Sequence, residues 1–502
     1  MKVFFRVDYN IIIGSGHILR CKLLIEKILA IRENVKIYII CRSNKIEKKI
    51  VKDIFNGLNI KFYFLKVKGN ILKDNYSTWI RSDHINDSKE TSKICISNNI
   101  NKNDILIIDH YGVKREWIKN ISPNIRTLVI DDFIRTNLQS DFILNGNLKA
   151  KPNFYKKSNK TKVFCSPKFA IFKPNYKPSY CTNFKNKNIL IFFSNSDIKN
   201  FGYKILTSLI KNYKNLPITL IQGSNSNNLN KKIFNKYKNV KIFKFVKNFD
   251  KILKKATLCI GGCGSTYISR VFYNIPTIVF QLSKNQEPFC KYLTKNNMSL
   301  FLGSEDNYKE KIFIQKFNKI WNNKEDLKKY SDNCKGYFDK YSISRIVEII
   351  KPSGTNKVKL KNLSKNHLEI LYDWANDKEV IKNSLNRKKL KFIEHKKWFN
   401  KIYNSKKVQL FILYVRDLPV GQIRFDILKN KILIDYSLDE FIRGKGYGKV
   451  IVKLGLKKIL RIKKKKIIAV VKKTNISSKR VFESLNFKLE NKNKKYLNYY
   501  YV

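Results

Sequence analysis

The chain opens on an apolar run, Val3 to Val7. Leu24, Ile28 and Ile31 then recur at helical spacing, and a second apolar run covers Val35 to Cys41. Short runs without polar interruption suit strands buried on both faces, whereas a 3.6-residue period suits an amphipathic helix. The order predicts strand, helix (Ile18 to Ile31), strand. It continues through Ile105 to Ile108 and Thr127 to Ile130. A second series begins at Asn188 to Phe193 and runs through Ile218 to Ile221, Val240 to Phe243, Leu258 to Ile260 and Thr277 to Phe280. Alternation of this kind predicts parallel, doubly wound sheets. Two such halves are expected, 1–174 and 175–350, joined where prolines interrupt the pattern between Phe172 and Pro178.

A different pattern follows the linker-like Pro352-Ser353-Gly354-Thr355-Asn356. Helices are predicted over Leu371 to Lys382 and Glu394 to Ile402. An antiparallel set comes next: Gln409 to Val415, Val420 to Leu428 and Ile432 to Leu438. Residues 357–502 are therefore expected to form a third, α+β domain.

Composition changes little in this picture. The 502 residues fit about three domains, and 43% hydrophobic with 13% aromatic residues excludes a disordered chain. With 103 Lys+Arg against 38 Asp+Glu the net charge is +65, a value that ordinarily points to a polyanion. Here the lysines are interleaved with Asn and Ile in every segment, so the excess reads as compositional bias and nucleic acid is not an expected partner. Lys463 to Lys466 reads as a solvated helix-to-strand turn. Nine cysteines without a Cys-x-x-Cys pair predict reduced thiols, and five scattered histidines predict no metal site. Arg6 and Asp8 break the N-terminal apolar run. No stretch approaches the roughly 20 apolar residues that span a bilayer, so a cytoplasmic protein without a membrane partner is expected.

Candidate chemistry is concentrated in two glycine-rich turns and a third near residue 264. Late in the chain, strand Ile432 to Ser437 leads to Arg443-Gly444-Lys445-Gly446-Tyr447-Gly448 and then to a helix from Lys449 to Leu460. Glycines admit a phosphate close to the backbone, and free N–H groups at a helix start donate to it. Downstream stand Asn475, Ser478, Phe482 and Asn486-Phe487. These two segments resemble the signatures of GNAT N-acetyltransferases, and Trp374 to Asp377 with Glu394 to Phe399 resembles the acceptor side of GNATs that modify amino-sugar nucleotides. The resemblance implies an acetyl-CoA site at Arg443, Gly444, Gly446, Tyr447, Gly448 and Asn475, the last positioning the pantetheine arm. Phe482 stands where many GNATs place a tyrosine acid, so no general acid is assigned.

Near the start, Arg6-Val7-Asp8 precedes Ile13-Gly14-Ser15-Gly16-His17-Ile18-Leu19-Arg20. The glycines follow the first strand and open the first helix. The missing third glycine excludes the dinucleotide fingerprint. A histidine at a positive helix end is favoured in its neutral, proton-accepting form. Further segments recur in order: Ile108-Asp109-His110-Tyr111-Gly112, Val129 to Asp132, Asp141 to Asn145, Ser166 to Ala170, Gly261 to Thr266 with Arg270, Pro276, and Asn285-Gln286. Together they resemble the pseudaminic acid pathway hydrolases, two-Rossmann (GT-B) enzymes that release UDP from a 2,4-diacetamido-2,4,6-trideoxy-altrose. Gly14 and Gly16 let an anion or a sugar pyrophosphate approach the backbone, and the resemblance implies inverting hydrolysis with His17 as base or water-orienting group and Tyr111 and Asn285 near the sugar. Gly264, Ser265 and Thr266 would hold the diphosphate. Ser269 replaces a glutamate usual for the ribose, Ser194-Asn195 replaces a glycine pair and Phe169 a tyrosine.

The expectation is a bifunctional enzyme with a UDP-sugar and acetyl-CoA as substrates and no metal. The alternatives are a GT-B glycosyltransferase with an acetylating tail and a non-catalytic basic binding protein.

Overall fold

A computed structural model describes the chain except residues 73–74, 136, 156–160, 175–186, 194–196, 198, 224–233, 235, 245, 247, 265, 284–285, 386–387 and 502. Ser265, Asn285, Ser194-Asn195 and the end of the expected Phe172 to Pro178 junction lie outside the described residues. The chain divides into two compact units, Met1–Ile343 and Ser344–Val502.

The first unit holds two parallel sheets. One comprises β1 (Lys2–Val7), β2 (Lys36–Arg42), β3 (Ile60–Leu65), β4 (Ile105–Asp109), β5 (Thr127–Ile130), β6 (Phe142–Asn145) and β7 (Lys162–Cys165), in the order β3-β2-β1-β4-β5-β6-β7. The other comprises β8 (Ile189–Ile191), β9 (Ile218–Ile221), β10 (Val240–Phe243), β11 (Leu258–Gly262), β12 (Thr277–Gln281) and β13 (Leu300–Ser304), in the order β10-β9-β8-β11-β12-β13. The apolar runs are strands because both faces are covered: Phe4, Phe5, Ile107, Ile108, Ile189 and Ile260 are fully buried. In each sheet the strand order reverses between a first strand and the fourth (β1/β4 and β8/β11). Crevices at the carboxyl ends of such strand pairs bind ligands in open α/β sheets.

The second unit is one mixed sheet of β14 (Val358–Asn362), β15 (Val408–Val415), β16 (Leu418–Ile427), β17 (Lys431–Leu438), β18 (Lys466–Lys472), β19 (Lys488–Lys492) and β20 (Tyr496–Tyr501), ordered β14-β15-β16-β17-β18-β20-β19. β17 and β18 are its parallel pair, matched from Lys431↔Lys466 to Ile434↔Ala469. Beyond Ile434 they part, and a wedge opens.

Local differences from the sequence reading have physical causes. The expected helix Leu371 to Lys382 is two, Leu368–Ala375 and Lys378–Asn383. It breaks because the Asp377 carboxylate accepts from the N–H groups of Glu379 (3.0 Å) and Val380 (3.1 Å), capping a new helix start. The expectation of reduced thiols fails at one place. The turn after β11 carries Cys263 against the helix Glu287–Lys295, where it forms a disulfide with Cys290, Cα atoms 6.4 Å apart. Among the described residues six other cysteines are buried free thiols. Lys463 to Lys466 does join the helix Tyr447–Ile462 to β18. Among the described residues no helix is long and apolar enough to cross a membrane.

Candidate functional site

The first site gathers at the β1/β4 switch point. Gly14 adopts φ +76°, donating its N–H to Asn10 O at 2.8 Å, and the tight turn leads straight into the helix Gly16–Ile31. His17 therefore stands in the first turn of that helix, and Asp109 ends the neighbouring β4. Their side chains meet, His17 Nδ1 to Asp109 Oδ1 at 2.6 Å. An ionised carboxylate only accepts, which assigns the proton to Nδ1 and leaves the Nε2 lone pair outward as a base. His17 is only 6% exposed, between the Asp109 carboxylate and the edge of the Tyr111 ring.

Arg20, one turn on, donates to both Asp109 oxygens (Nε and Nη2, each 2.5 Å) and through Nη1 to Asp132 Oδ2 at 2.7 Å. Tyr111 closes the ring: its hydroxyl donates to the same Asp132 oxygen at 2.7 Å, and its ring meets His17 edge-on, centroids 4.2 Å apart. Burial alone would raise the Asp109 pKa, but Arg20 and His17 outweigh it and hold the carboxylate well below its usual range. Burial, then Asp132, raises the Tyr111 hydroxyl well above its ordinary value, so it stays a proton donor.

Asp109, Arg20 and Asp132 carry this site as much as His17 does. The sequence reading placed all three inside its motifs without giving them roles. Beneath them lies a second buried network: Arg6 on Asp8 and Asp87, Arg42 on Asp87, and His110 Nε2 on Asp8 Oδ2 at 3.1 Å. The Gly112 N–H donates to His110 Nδ1 at 3.0 Å, so this network sets the turn that presents Tyr111.

In the second sheet the turn Gly262 to Thr266 follows β11 and opens the short helix Thr266–Phe272. Gly264 is exposed, with nothing within 4 Å of where a Cβ would stand, and Thr266 and Ser269 are half-buried. Arg270 is buried beneath the turn and donates to Gly262 O.

The second unit's site is a cavity of about 880 Å³ at the β17/β18 wedge. It has two walls. Ile423 and Phe425 of β16 face the helix Tyr447–Ile462, since a Cβ on Gly455 would touch both (2.5 and 3.0 Å). Gln422, Arg424 and Asp426, in alternate register, must face the other way. On β17, Tyr436 takes the helix side: its hydroxyl is 3.2 Å from Ser478 Oγ, and its ring lies 5.8 Å from that of Phe482. Asp435 and Ser437 take the side of Gln422. Burial raises the Tyr436 pKa above its ordinary value.

Gly444, Gly446, Gly448 and Asn475 all line this cavity. Gly446 holds φ +83° just before the helix. Asn475 caps the next helix by accepting from Ser478 N at 3.1 Å. Two expected ligand residues are used otherwise by their side chains. Arg443 donates to Leu438 O (3.0 and 2.9 Å) and to Asp377 Oδ1 (2.7 Å), so it braces the loop. Tyr447 is buried with its hydroxyl on Gly354 O at 3.1 Å.

Comparison with known proteins agrees with this division. Residues 357–488 match the acetyltransferase (GNAT) domain family, and 201–346 match the glycosyltransferase family 28 C-terminal domain. An uncharacterised protein of Methanocaldococcus jannaschii is 27% identical over 518 aligned residues, covering 97% of each chain. The UDP-2,4-diacetamido-2,4,6-trideoxy-β-L-altropyranose hydrolase of Campylobacter jejuni is 26% identical over 201 residues, 39% of this chain and 72% of that one. The crystal structure of MurG from Acinetobacter baumannii shares the two-sheet fold, with TM-score 0.50 and 12% identity, covering 70% of this chain and 99% of that one. The chain thus carries two parallel Rossmann-like sheets of GT-B type, the second matching glycosyltransferase family 28, followed by a GNAT acetyltransferase domain.

Proposed function

We propose that this chain is a bifunctional sugar-nucleotide enzyme. Its first unit hydrolyses UDP-2,4-diacetamido-2,4,6-trideoxy-β-L-altropyranose, and its second unit acetylates the 4-amino group of the precursor with acetyl-CoA. The observation that carries the hydrolase reading is the 2.6 Å contact between His17 Nδ1 and Asp109 Oδ1 at the switch point. The partial likeness to the C. jejuni hydrolase supports the choice of substrate.

In this reading water attacks the anomeric carbon as its bond to the diphosphate oxygen breaks. His17 Nε2 takes the proton of the attacking water, and UDP leaves with the bonding electron pair. Asp109 balances the imidazolium that forms. Gly14, Gly16, Tyr111 and Asn285 flank the sugar. Gly264, Ser265 and Thr266 receive the diphosphate through backbone N–H groups and hydroxyls.

In the second unit, backbone amides of Gly444, Gly446, Tyr447 and Gly448 hold the acetyl-CoA pyrophosphate, and the pantetheine arm enters the wedge past Asn475. The deprotonated amine attacks the thioester carbonyl. The tetrahedral adduct loses a proton from nitrogen to solvent water and collapses to the amide; the departing thiolate takes a proton from Tyr436, the hydroxyl that stands beside Phe482, which solvent then reprotonates.

The test is to offer the full chain acetyl-CoA and the UDP-linked 4-amino sugar and to follow products by mass and proton NMR. Acetylated UDP-sugar should appear first, then free acetylated sugar and UDP. The family 28 match favours one other reading, glycosyl transfer by the first unit. UDP release that requires a second sugar would establish that reading instead.

A further inference from the structure

The wall of the cavity opposite the glycine loop is organised around Gln422. This residue is 9% exposed and lines the cavity. Its Nε2 donates to Asp435 Oδ2 and Ser437 Oγ, both at 3.4 Å. A carboxylate can only accept, so the amide nitrogen must face Asp435, which fixes the flip of the side chain. The carbonyl Oε1 is then buried with no partner among the described residues. An unpaired buried carbonyl is destabilising, and in a cavity wall it is a place where a ligand's donor is recovered.

Charged groups of both signs surround it. The carboxylates Asp426, Asp435, Glu379 and Glu394 line the cavity together with Lys388, Arg424, Arg443, Lys449 and Lys472. Asp426 is paired with Arg424 at 3.2 Å, which leaves Asp435 beside the Gln422 amide. A carboxylate on the same face as the Gln422 carbonyl attracts a cation to that spot.

We propose that Gln422 Oε1 accepts an N–H of the acceptor amine, and that the Asp435 carboxylate beside it draws this amine in as an ammonium ion. The amine is then held on the sheet face opposite Gly446 and Gly448, with the thioester reaching it through the gap between β17 and β18. The inference rests on the acetyltransferase reading of this unit and names the residue that orients its acceptor.

Gln422→Met tests it, because methionine keeps the length of the side chain and removes the carbonyl. In the full chain, with the UDP-linked 4-amino sugar and separately spermidine as amine probes, the KM for an amine the parent acetylates should rise about tenfold or more, the scale of a hydrogen bond to a charged donor. The KM for acetyl-CoA should not move. An unchanged amine KM or a parallel rise in both KM values would overturn the assignment. A parent that acetylates neither amine while binding acetyl-CoA would overturn the amine-acceptor reading itself, a result distinct from failure at Gln422.

Discussion

Asp109 Oδ1 stands 2.6 Å from His17 Nδ1 across 92 residues of sequence, and Arg20 grips both oxygens of the same carboxylate. The arrangement orients an imidazole and keeps its proton on the inner nitrogen. Asp109→Asn presents an amide that can donate to Nδ1 and so moves the proton to Nε2. UDP release should then fall by about a hundred- to ten-thousand-fold, and His17→Ala should lose a similar factor. Acetyl transfer should be unaffected in both. A variant at either position that releases UDP at the parent rate would remove His17 from the mechanism.

Gly446 lies at φ +83°, a conformation in which a β-branched side chain is strained, and Gly448 would place a Cβ 3.1 Å from Val481 Cγ2 and 3.6 Å from the Tyr436 hydroxyl. Gly446→Val or Gly448→Leu should abolish acetyl-CoA binding in calorimetry while UDP release from pre-acetylated substrate persists. Retained acetyl-CoA affinity would place the pyrophosphate elsewhere.

Tyr436→Phe should lower the turnover of acetyl transfer and leave the KM for acetyl-CoA in place. Because burial holds the Tyr436 pKa above its ordinary value, the parent should keep its activity well into alkaline pH. Phe482→Tyr, added to Tyr436→Phe, should restore part of the lost turnover by returning a hydroxyl to the same side of the wedge. No loss in the single variant would exclude Tyr436 as the proton donor.

Ser269 lies half-buried on the helix Thr266–Phe272. If a carboxylate at this position reaches the ribose, Ser269→Glu should tighten UDP binding by about 1–3 kcal/mol, the scale of a charge-assisted hydrogen bond. Titration of UDP into parent and variant measures this. Equal or weaker binding in the variant would mean that the ribose is held by other residues.

His110 is buried and its Nδ1 accepts from the Gly112 N–H, so burial lowers its pKa from the ordinary 6.5 despite the Asp8 carboxylate. With the folded value depressed, the unfolded chain binds more protons below pH 6.5, and stability falls as pH drops through that value. Asp8 and Asp109 are also depressed, but from 3.8, so their stabilisation is lost only at lower pH. The urea midpoint should therefore decline between about pH 7 and 5, and His110→Asn should flatten that decline. A parent midpoint that stays level across this window would contradict the assignment.

The alternation of apolar runs and helical periods was enough to expect two doubly wound sheets and a separate α+β domain with an antiparallel strand set, because strand and helix patterning is a local property of neighbouring residues. The glycine turns were legible for the same reason: positive φ and a helix start are encoded within a few positions, as at Gly14 and Gly446. Which distant residues meet was not. Asp109 reaches His17 because β4 pairs with β1, and Gln422 reaches Asp435 because β16 pairs with β17 in a register that puts both on one face. Cys263 reaches Cys290 because a turn and a helix pack together. Composition and spacing carry no trace of these pairings. Strand order and register are settled by the burial of whole sheet faces, and a site assembled across strands exists only once that burial has chosen which strands are neighbours.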